Sequence, residues 1–185
     1  MDATAAYEEL LQARGPVPEW LDSTRRGVYV LWMDTLGFKQ LGVRPGLGGT
    51  GYAGVAAGSG GLRKRFVEEW RPPNSGRSSP RRTIGALLRA QLDLVPCPRH
   101  DKDSERAARY YVFAGDGEER LTMWIDVHCE FAYLEETPVV DARQLESDLI
   151  PYLGAPLNIR KWSNPIGPRL EELRHETAAL ARKYV

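Results

Sequence analysis

Hydrophobic residues recur along the chain at spacings that predict both strands and helices. The run Gly27-Val28-Tyr29-Val30-Leu31-Trp32-Met33 is continuous and rich in β-branched and aromatic residues, which is typical of a buried strand. A second, shorter strand is predicted over residues 52–55. Several glycines and Pro45 lie between the two, so residues 34–51 are predicted to form a long loop that returns the chain beside the first strand.

Other segments carry apolar residues at the three- and four-residue spacing of a helix. The stripe Leu145, Leu149 and Leu153 is one example, and it follows Asp141, a residue suited to cap a helix. Helices are predicted over residues 3–13, 62–70, 142–153 and 168–184, with another that begins at the Ser79-Pro80 cap and continues through residues 83–92.

The remaining segments are predicted to be a loop and a hairpin. Residues 71–82 are rich in Pro, Ser, Gly and Arg and resist packing into a core. Residues 110–113 and 121–127 flank a glycine-containing turn and predict a β-hairpin, and residues 131–134 are expected to prolong the sheet. The 185 residues therefore predict a single α/β (α+β) domain, with a core at about 27–158 and a C-terminal helix at about 168–184.

The apolar runs and the cysteine content of the sequence predict the cellular compartment of the protein. No apolar run is long enough to span a membrane, and the first residues lack the basic and apolar segments of a signal peptide. Two cysteines, Cys97 and Cys129, are too few for a disulfide framework, which favours a reducing environment. We therefore expect a soluble, cytoplasmic protein.

The formal net charge is zero, but the charges are segregated along the chain. Residues 63–89 contain eight Arg or Lys against two Glu, whereas residues 116–148 contain ten Asp or Glu against two Arg. A folded domain with one basic and one acidic face could bind a polyanion on the basic face while remaining neutral overall. Charge alone is equally compatible with ordinary solvated helix faces.

An ordered set of short motifs points to a chemistry. The tripeptides Gly27-Val28-Tyr29 and Tyr52-Ala53-Gly54 are followed by Arg65 in a predicted helix, Glu146 in a later helix and Asn158 in a turn. In order and spacing, from about residue 27 to residue 158, the set resembles the GIY-YIG nuclease superfamily. The resemblance implies a small central mixed or antiparallel sheet flanked by helices, with helical additions at both ends.

The residue types suit phosphodiester hydrolysis, which needs an oriented water, charge stabilisation on the phosphoryl oxygens and help for the leaving oxygen. Arg65 can bind a phosphate through two hydrogen bonds, and Glu146 is a hard ligand suited to Mg²⁺ or Mn²⁺. The resemblance implies one divalent metal on Glu146, with Tyr29 and Tyr52 around the attacking water. Asn158 is expected to fix a tyrosine or the glutamate in place.

The predicted activity is that of a metal-dependent endonuclease on DNA, with RNA as an alternative substrate and a homodimer as one way to cut both strands. Six basic residues near the predicted site are expected to contact the nucleic acid. They are Arg63, Lys64, Arg71, Arg77, Arg81 and Arg82.

Several alternatives accompany this prediction. Arg63 could take the role of Arg65, and Glu69 stands where many family members carry a histidine or tyrosine. The chain could instead be a catalytically weakened nucleic-acid-binding module, or an interaction domain that uses its acidic hairpin region. A tetrahedral zinc site is a further option, and its four ligands would be Cys97, His100, His128 and Cys129.

Overall fold

The computed structural model describes residues 1–70, 73–99, 105–136 and 141–184, without the side chains of 68–70 and 105. Its helices are α1 (Ala3–Gln12), α2 (Thr35–Leu41), α3 (Gly61–Arg63), α4 (Ser79–Leu88), α5 (Glu105–Arg109), α6 (Gly117–His128), α7 (Ala142–Leu153) and α8 (Gly167–Arg182). Helix α3 continues as a π-helix over Lys64–Trp70, and 3-10 turns lie at Leu47–Gly49 and Ser75–Arg77. The strands are β1 (Gly15–Pro16), β2 (Gly27–Met33), β3 (Thr50–Ala56), β4 (Pro96–Cys97), β5 (Val112–Phe113) and β6 (Cys129–Glu135).

The main sheet has four antiparallel strands in the order β1-β6-β2-β3, and β4 pairs with β5 in a separate two-stranded sheet. Every residue of β2 is buried, as its continuous apolar run predicts, because the strand lies in the sheet with both faces covered. In this register Tyr29 lies opposite Gly54 on one side and opposite Tyr133 on the other. The mixed α/β architecture agrees with the predicted fold class.

Two apolar clusters cover the two faces of this sheet. Val28, Val30 and Trp32 pack into the smaller cluster, which also contains buried residues of α1 and α7. The alternate residues of β2 point the other way and belong to the larger cluster, which contains residues of α2, α4, α6 and α8. Tyr29 and Tyr52 both lie on this second face. Within residues 1–70, 73–99, 105–136 and 141–184, no helix is long and apolar enough to cross a membrane.

The prediction of a loop over residues 34–51 is wrong in its first half. Asp34 caps α2 by accepting a hydrogen bond from the Gly37 backbone N–H at 2.6 Å, and Gly42 ends the helix with a φ of 65°. Phe38 and Leu41 fill the larger cluster. The aspartate cap and the glycine stop are both local signals for a helix, and the overall glycine content of the segment obscured them.

The predicted hairpin is also wrong, because residues 117–128 form α6. The β-branched and aromatic run at 121–127 favours a strand, but its burial has helical periodicity. Leu121, Trp124 and Ile125 are buried, whereas Met123 and Val127 are 67% and 72% exposed. Strand β5 pairs with β4 instead.

The predicted loop over residues 71–82 ends early. Ser78, whose side chain accepts from the Arg81 N–H at 3.4 Å, caps α4, and Pro80 occupies its first turn. Arg81 and Arg82 therefore belong to a helix. The predictions for the first, seventh and eighth helices agree with the structure to within two residues at each end.

Candidate active site

Tyr29 and Arg65 meet on the larger-cluster face of the sheet. Tyr29 is 2% exposed, and its hydroxyl oxygen accepts a hydrogen bond from Nε of Arg65 at 3.3 Å. Arg65 lies in the π-helical continuation of α3, whereas the guanidinium of Arg63 lies 5.0 Å from the ring centre of Trp20. Of the two arginines weighed for the same role, the structure places Arg65 against the tyrosine.

Close steric contacts explain why both tripeptides contain a glycine. A Cβ at Gly54 would lie 2.6 Å from both Cζ and Oη of Tyr29 and 2.8 Å from a ring carbon of Tyr52. A Cβ at Gly27 would lie 2.2 Å from the backbone oxygen of Leu134 on β6. Real Cβ atoms do not approach other atoms so closely. Gly54 therefore makes room for the two phenols, and Gly27 makes room for the neighbouring strand.

The hydroxyl of Tyr52 interacts electrostatically with Tyr29 and Glu146. Its ring centre lies 6.1 Å from that of Tyr29. Burial raises the pKa of Tyr52 strongly, Tyr29 and Glu146 raise it further, and Arg65 lowers it only in part. Tyr52 therefore keeps its proton at neutral pH and is suited to orienting a water or a phosphoryl oxygen as a hydrogen-bond donor.

Glu146 enters the same region from α7, which is capped by Asp141 through the backbone N–H groups of Arg143 and Gln144 at 2.8 and 2.9 Å. Its side chain is 12% exposed and forms an ion pair with Nζ of Lys161. The backbone of Lys161 has a φ of 75°, a conformation that is uncommon for a residue with a side chain. This lysine had no place in the sequence motif and is an addition from the structure.

The donor set near Glu146 fits one hard, hydrated cation. Among the described residues no group of three or more His, Cys, Asp or Glu is placed to hold a metal ion. Mg²⁺ dehydrates reluctantly and is often held by one or two carboxylates with several waters, so Glu146 alone is a reasonable protein ligand.

Asn158 has a different contact from the one predicted. Its side-chain oxygen accepts from the Ala53 N–H and its side-chain nitrogen donates to the Ala53 carbonyl, both at 2.8 Å. The Leu157 N–H donates to the Gly51 carbonyl at 2.9 Å. Asn158 thus pairs with the outer edge of β3 as a strand would, and it fixes the backbone beside Tyr52 rather than a tyrosine or glutamate side chain.

Tyr52 and Glu146 line a cleft of about 380 Å³ that is rich in positive charge. Its charged lining comprises five bases against two acids. The bases are Arg82, Arg109, Arg160, Lys161 and Arg174, and the acids are Glu146 and Glu171. Four of these bases, all but Arg82, lie outside the segment that the sequence marked as basic, because the fold gathers them from α5, α8 and the turn after α7.

A family model for the GIY-YIG catalytic domain matches residues 50–176, more than half of the chain. The chain belongs to the GIY-YIG family. The match begins at the first residue of β3, so Gly27-Val28-Tyr29 lies outside it. The pairing of β2 with β3 places this tripeptide beside the matched region. No curated protein and no solved structure significantly matches the chain. Membership places the chain in a family of nuclease catalytic domains.

The predicted nucleic-acid contacts of this GIY-YIG domain divide into three groups. Arg63, Lys64 and Arg77 are exposed. Arg81 is 1% exposed and pairs with the buried Glu118 at 2.9 Å, so its prediction as a nucleic-acid contact is wrong. Arg82 is buried too but lines the cleft. Arg71 lies outside the described residues.

The zinc alternative gains no support from the described part of the chain. Nδ1 of His128 lies 3.0 Å from a carboxylate oxygen of Asp34, and burial raises the pKa of the Cys129 thiol, so its reactive thiolate is disfavoured. His100 and the side chain of Glu69 lie outside what the structure describes.

Proposed function

We propose that this GIY-YIG domain is a metal-dependent endonuclease that hydrolyses phosphodiester bonds of DNA. The observation that carries the proposal is the convergence on Tyr52. Its ring centre lies 6.1 Å from that of Tyr29, which accepts a hydrogen bond from Arg65, and Tyr52 lines one cleft with Glu146 that has a net positive lining. A cationic cleft that contains phenols, a guanidinium and one carboxylate suits a phosphodiester.

The protein residues divide the chemistry among them. Arg65 would hydrogen-bond the phosphoryl oxygens and stabilise the charge that develops on them. Tyr29, whose hydroxyl oxygen accepts from Arg65, would use its own O–H to donate a hydrogen bond that orients the attacking water or a phosphoryl oxygen. Tyr52, which keeps its proton, orients the same water. Glu146 would hold Mg²⁺ or Mn²⁺, which supplies Lewis-acid stabilisation and a more acidic water.

Lys161 bears on how Glu146 takes up a cation. Its ammonium group forms an ion pair with the carboxylate and also donates to Oγ of Ser147 at 3.2 Å. A divalent ion on Glu146 must share this carboxylate with Lys161 or displace it. The proposal therefore includes either of two positions for the Lys161 side chain when Glu146 holds a cation: beside the shared carboxylate, or displaced from it.

The test is a cleavage assay on plasmid and short linear DNA with Mg²⁺, Mn²⁺ or EDTA. Glu146→Gln and Arg65→Ala should each lower the rate, by roughly 10²–10³-fold for the lost phosphate donor. Asp148→Asn is the matched control, since it removes the same charge from an exposed position of α7 and should cleave as wild type does. Equal cleavage by Glu146→Gln and wild type would overturn the assigned site.

The same assay separates the alternatives. DNA binding without cleavage by the wild type would make the chain a catalytically weakened binding module. Weak binding that is nearly independent of salt would favour a protein-interaction domain, although its proposed acidic hairpin is in fact α6, β6 and the start of α7. The homodimer has no support in the family match, and the proposal uses the residues of one chain.

A further inference from the structure

The lining of the cleft contains three arginines that the catalytic proposal does not use. Arg82, Arg109 and Arg174 line the cleft together with Ser79 and Tyr110. The guanidinium of Arg174 donates to Oγ of Ser79 at 3.2 Å, and that of Arg82 lies 4.9 Å from the ring centre of Tyr110. Ser79 is the first residue of α4, so the positive end of that helix dipole also faces the cluster.

Arg82 is held in place by the backbone. It is 5% exposed, and its Nη1 donates to the carbonyl oxygens of Ser75 and Gly76 at 3.0 and 2.9 Å. Its buried Nε has no hydrogen-bond partner among the described residues. A guanidinium that is already fixed by two backbone carbonyls loses little conformational freedom when it binds an anion, so Arg82 is preorganised for this role.

The cluster also places like charges together. Burial, and after it the neighbouring guanidinium of Arg174, lower the pKa of Arg82 to about 10. Among the residues that the structure describes, no carboxylate is a principal influence on the pKa of Arg82. An anion between the two guanidinium groups would remove this repulsion and would complete their hydrogen bonds.

Tyr52 connects the cluster to the catalytic residues. Its hydroxyl interacts electrostatically with Arg82 as well as with Arg65 and Glu146. The arginine cluster, Tyr52 and Glu146 therefore line one cleft. A strand of nucleic acid presents phosphates at regular intervals, so a strand bound at Glu146 would bring a neighbouring phosphate to the arginines.

From this geometry we infer that Arg82, Arg109 and Arg174 form a second phosphate subsite, which holds a phosphate of the substrate strand next to the one that is cleaved. The inference rests on the proposed function for the identity of the strand. The subsite fixes the register of the strand against Glu146, and it takes the phosphodiester without regard to the base.

Binding of a fluorescent DNA duplex tests the subsite in the Glu146→Gln background with EDTA, where cleavage does not interfere. Arg109→Ala/Arg174→Ala should weaken binding about tenfold or more, and the slope of log affinity against log salt should fall by about 1 for each phosphate that the protein no longer neutralises. Arg106→Ala/Arg169→Ala is the matched control. It removes the same charge from exposed positions of the same two helices that do not line the cleft.

A second arm locates the phosphate by replacing one phosphate at a time with a neutral methylphosphonate. One position should weaken binding to the protein with both arginines and have no effect on the double variant. Equal decreases in affinity for both proteins at every position, or a double variant that binds like the control, would overturn the subsite. If the double variant does not fold, Arg109→Glu at an exposed position gives the same comparison.

Failure of the subsite is distinguishable from failure of the proposed function. A wild-type protein that does not cleave but shows the position-specific effect retains the subsite and loses the catalytic proposal. A wild-type protein that cleaves while the double variant binds with unchanged salt slope retains the catalytic proposal and loses the subsite.

Discussion

The buried ion pair between Arg81 and Glu118 is expected to be a main determinant of stability. Glu118 is 5% exposed and accepts four hydrogen bonds at 2.9–3.1 Å. They come from the backbone and hydroxyl of Ser75, the backbone of Phe113 and Nη2 of Arg81. Glu118→Gln preserves the shape of the side chain but leaves a buried guanidinium without its counter-charge.

The expected cost follows from breaking one half of a buried pair, which is about 3–5 kcal/mol. With a urea m-value of about 2 kcal/mol per molar, the midpoint of unfolding should fall by about 2 M. Glu119→Gln is the control, because it removes the same charge from the adjacent, exposed residue and should change stability by less than about 0.5 kcal/mol. Urea denaturation followed by circular dichroism measures both variants.

A double-mutant cycle sharpens the test. Arg81→Met should also destabilise the protein, while Arg81→Met/Glu118→Gln should be less unstable than the sum of the two single changes, because neither buried group is then left charged and unpaired. Equal midpoints for Glu118→Gln and Glu119→Gln would refute the reasoning, and so would additivity of the two single changes.

Two further predictions concern the tyrosines. Gly54→Ala should displace Tyr29, whose Cζ and Oη would lie 2.6 Å from the new methyl group, and should lower the cleavage rate by roughly 10²-fold. Gly58→Ala, which has open space at its Cβ, should cleave normally, and equal rates for the two variants would contradict the steric role of Gly54. Because the folded-state pKa of Tyr52 is raised, its contribution to stability is present below the unfolded pKa of about 10 and is lost as the pH rises above it. Urea unfolding on both sides of that pH should therefore show a steeper decrease in stability for wild type than for Tyr52→Phe, and parallel decreases would contradict the raised pKa.

The sequence was sufficient where a pattern was local and had a single interpretation. The continuous apolar run of β2 and the leucine stripe of α7 gave the correct elements, because no other structure buries those residues as well. The segment at 121–127 was ambiguous, since its β-branched and aromatic residues favour a strand and only tertiary burial selects the helix.

Adjacent arginines show the limit more clearly. Arg81 and Arg82 were given one role, but the helix turns the first toward Glu118 and lets the second line the cleft. The partner that decides this is 37 residues away in sequence. Lys161 and Arg174 were missed for the same reason, since each acquires its place from contacts that the motif spacing does not encode.

The spacing between Glu146 and Asn158 has a structural explanation. Helix α7 carries Glu146 toward the cleft and is followed by Gly154, whose φ of 56° lets the chain return to the outer edge of β3. There Asn158 makes its two hydrogen bonds to Ala53, the residue next to Tyr52. One continuous segment therefore holds the carboxylate and also fixes the strand that bears the tyrosine. Removal of the Asn158 hydrogen bonds would free the edge of β3 and move Tyr52 relative to Glu146, which gives a physical reason for an asparagine at this position of the motif.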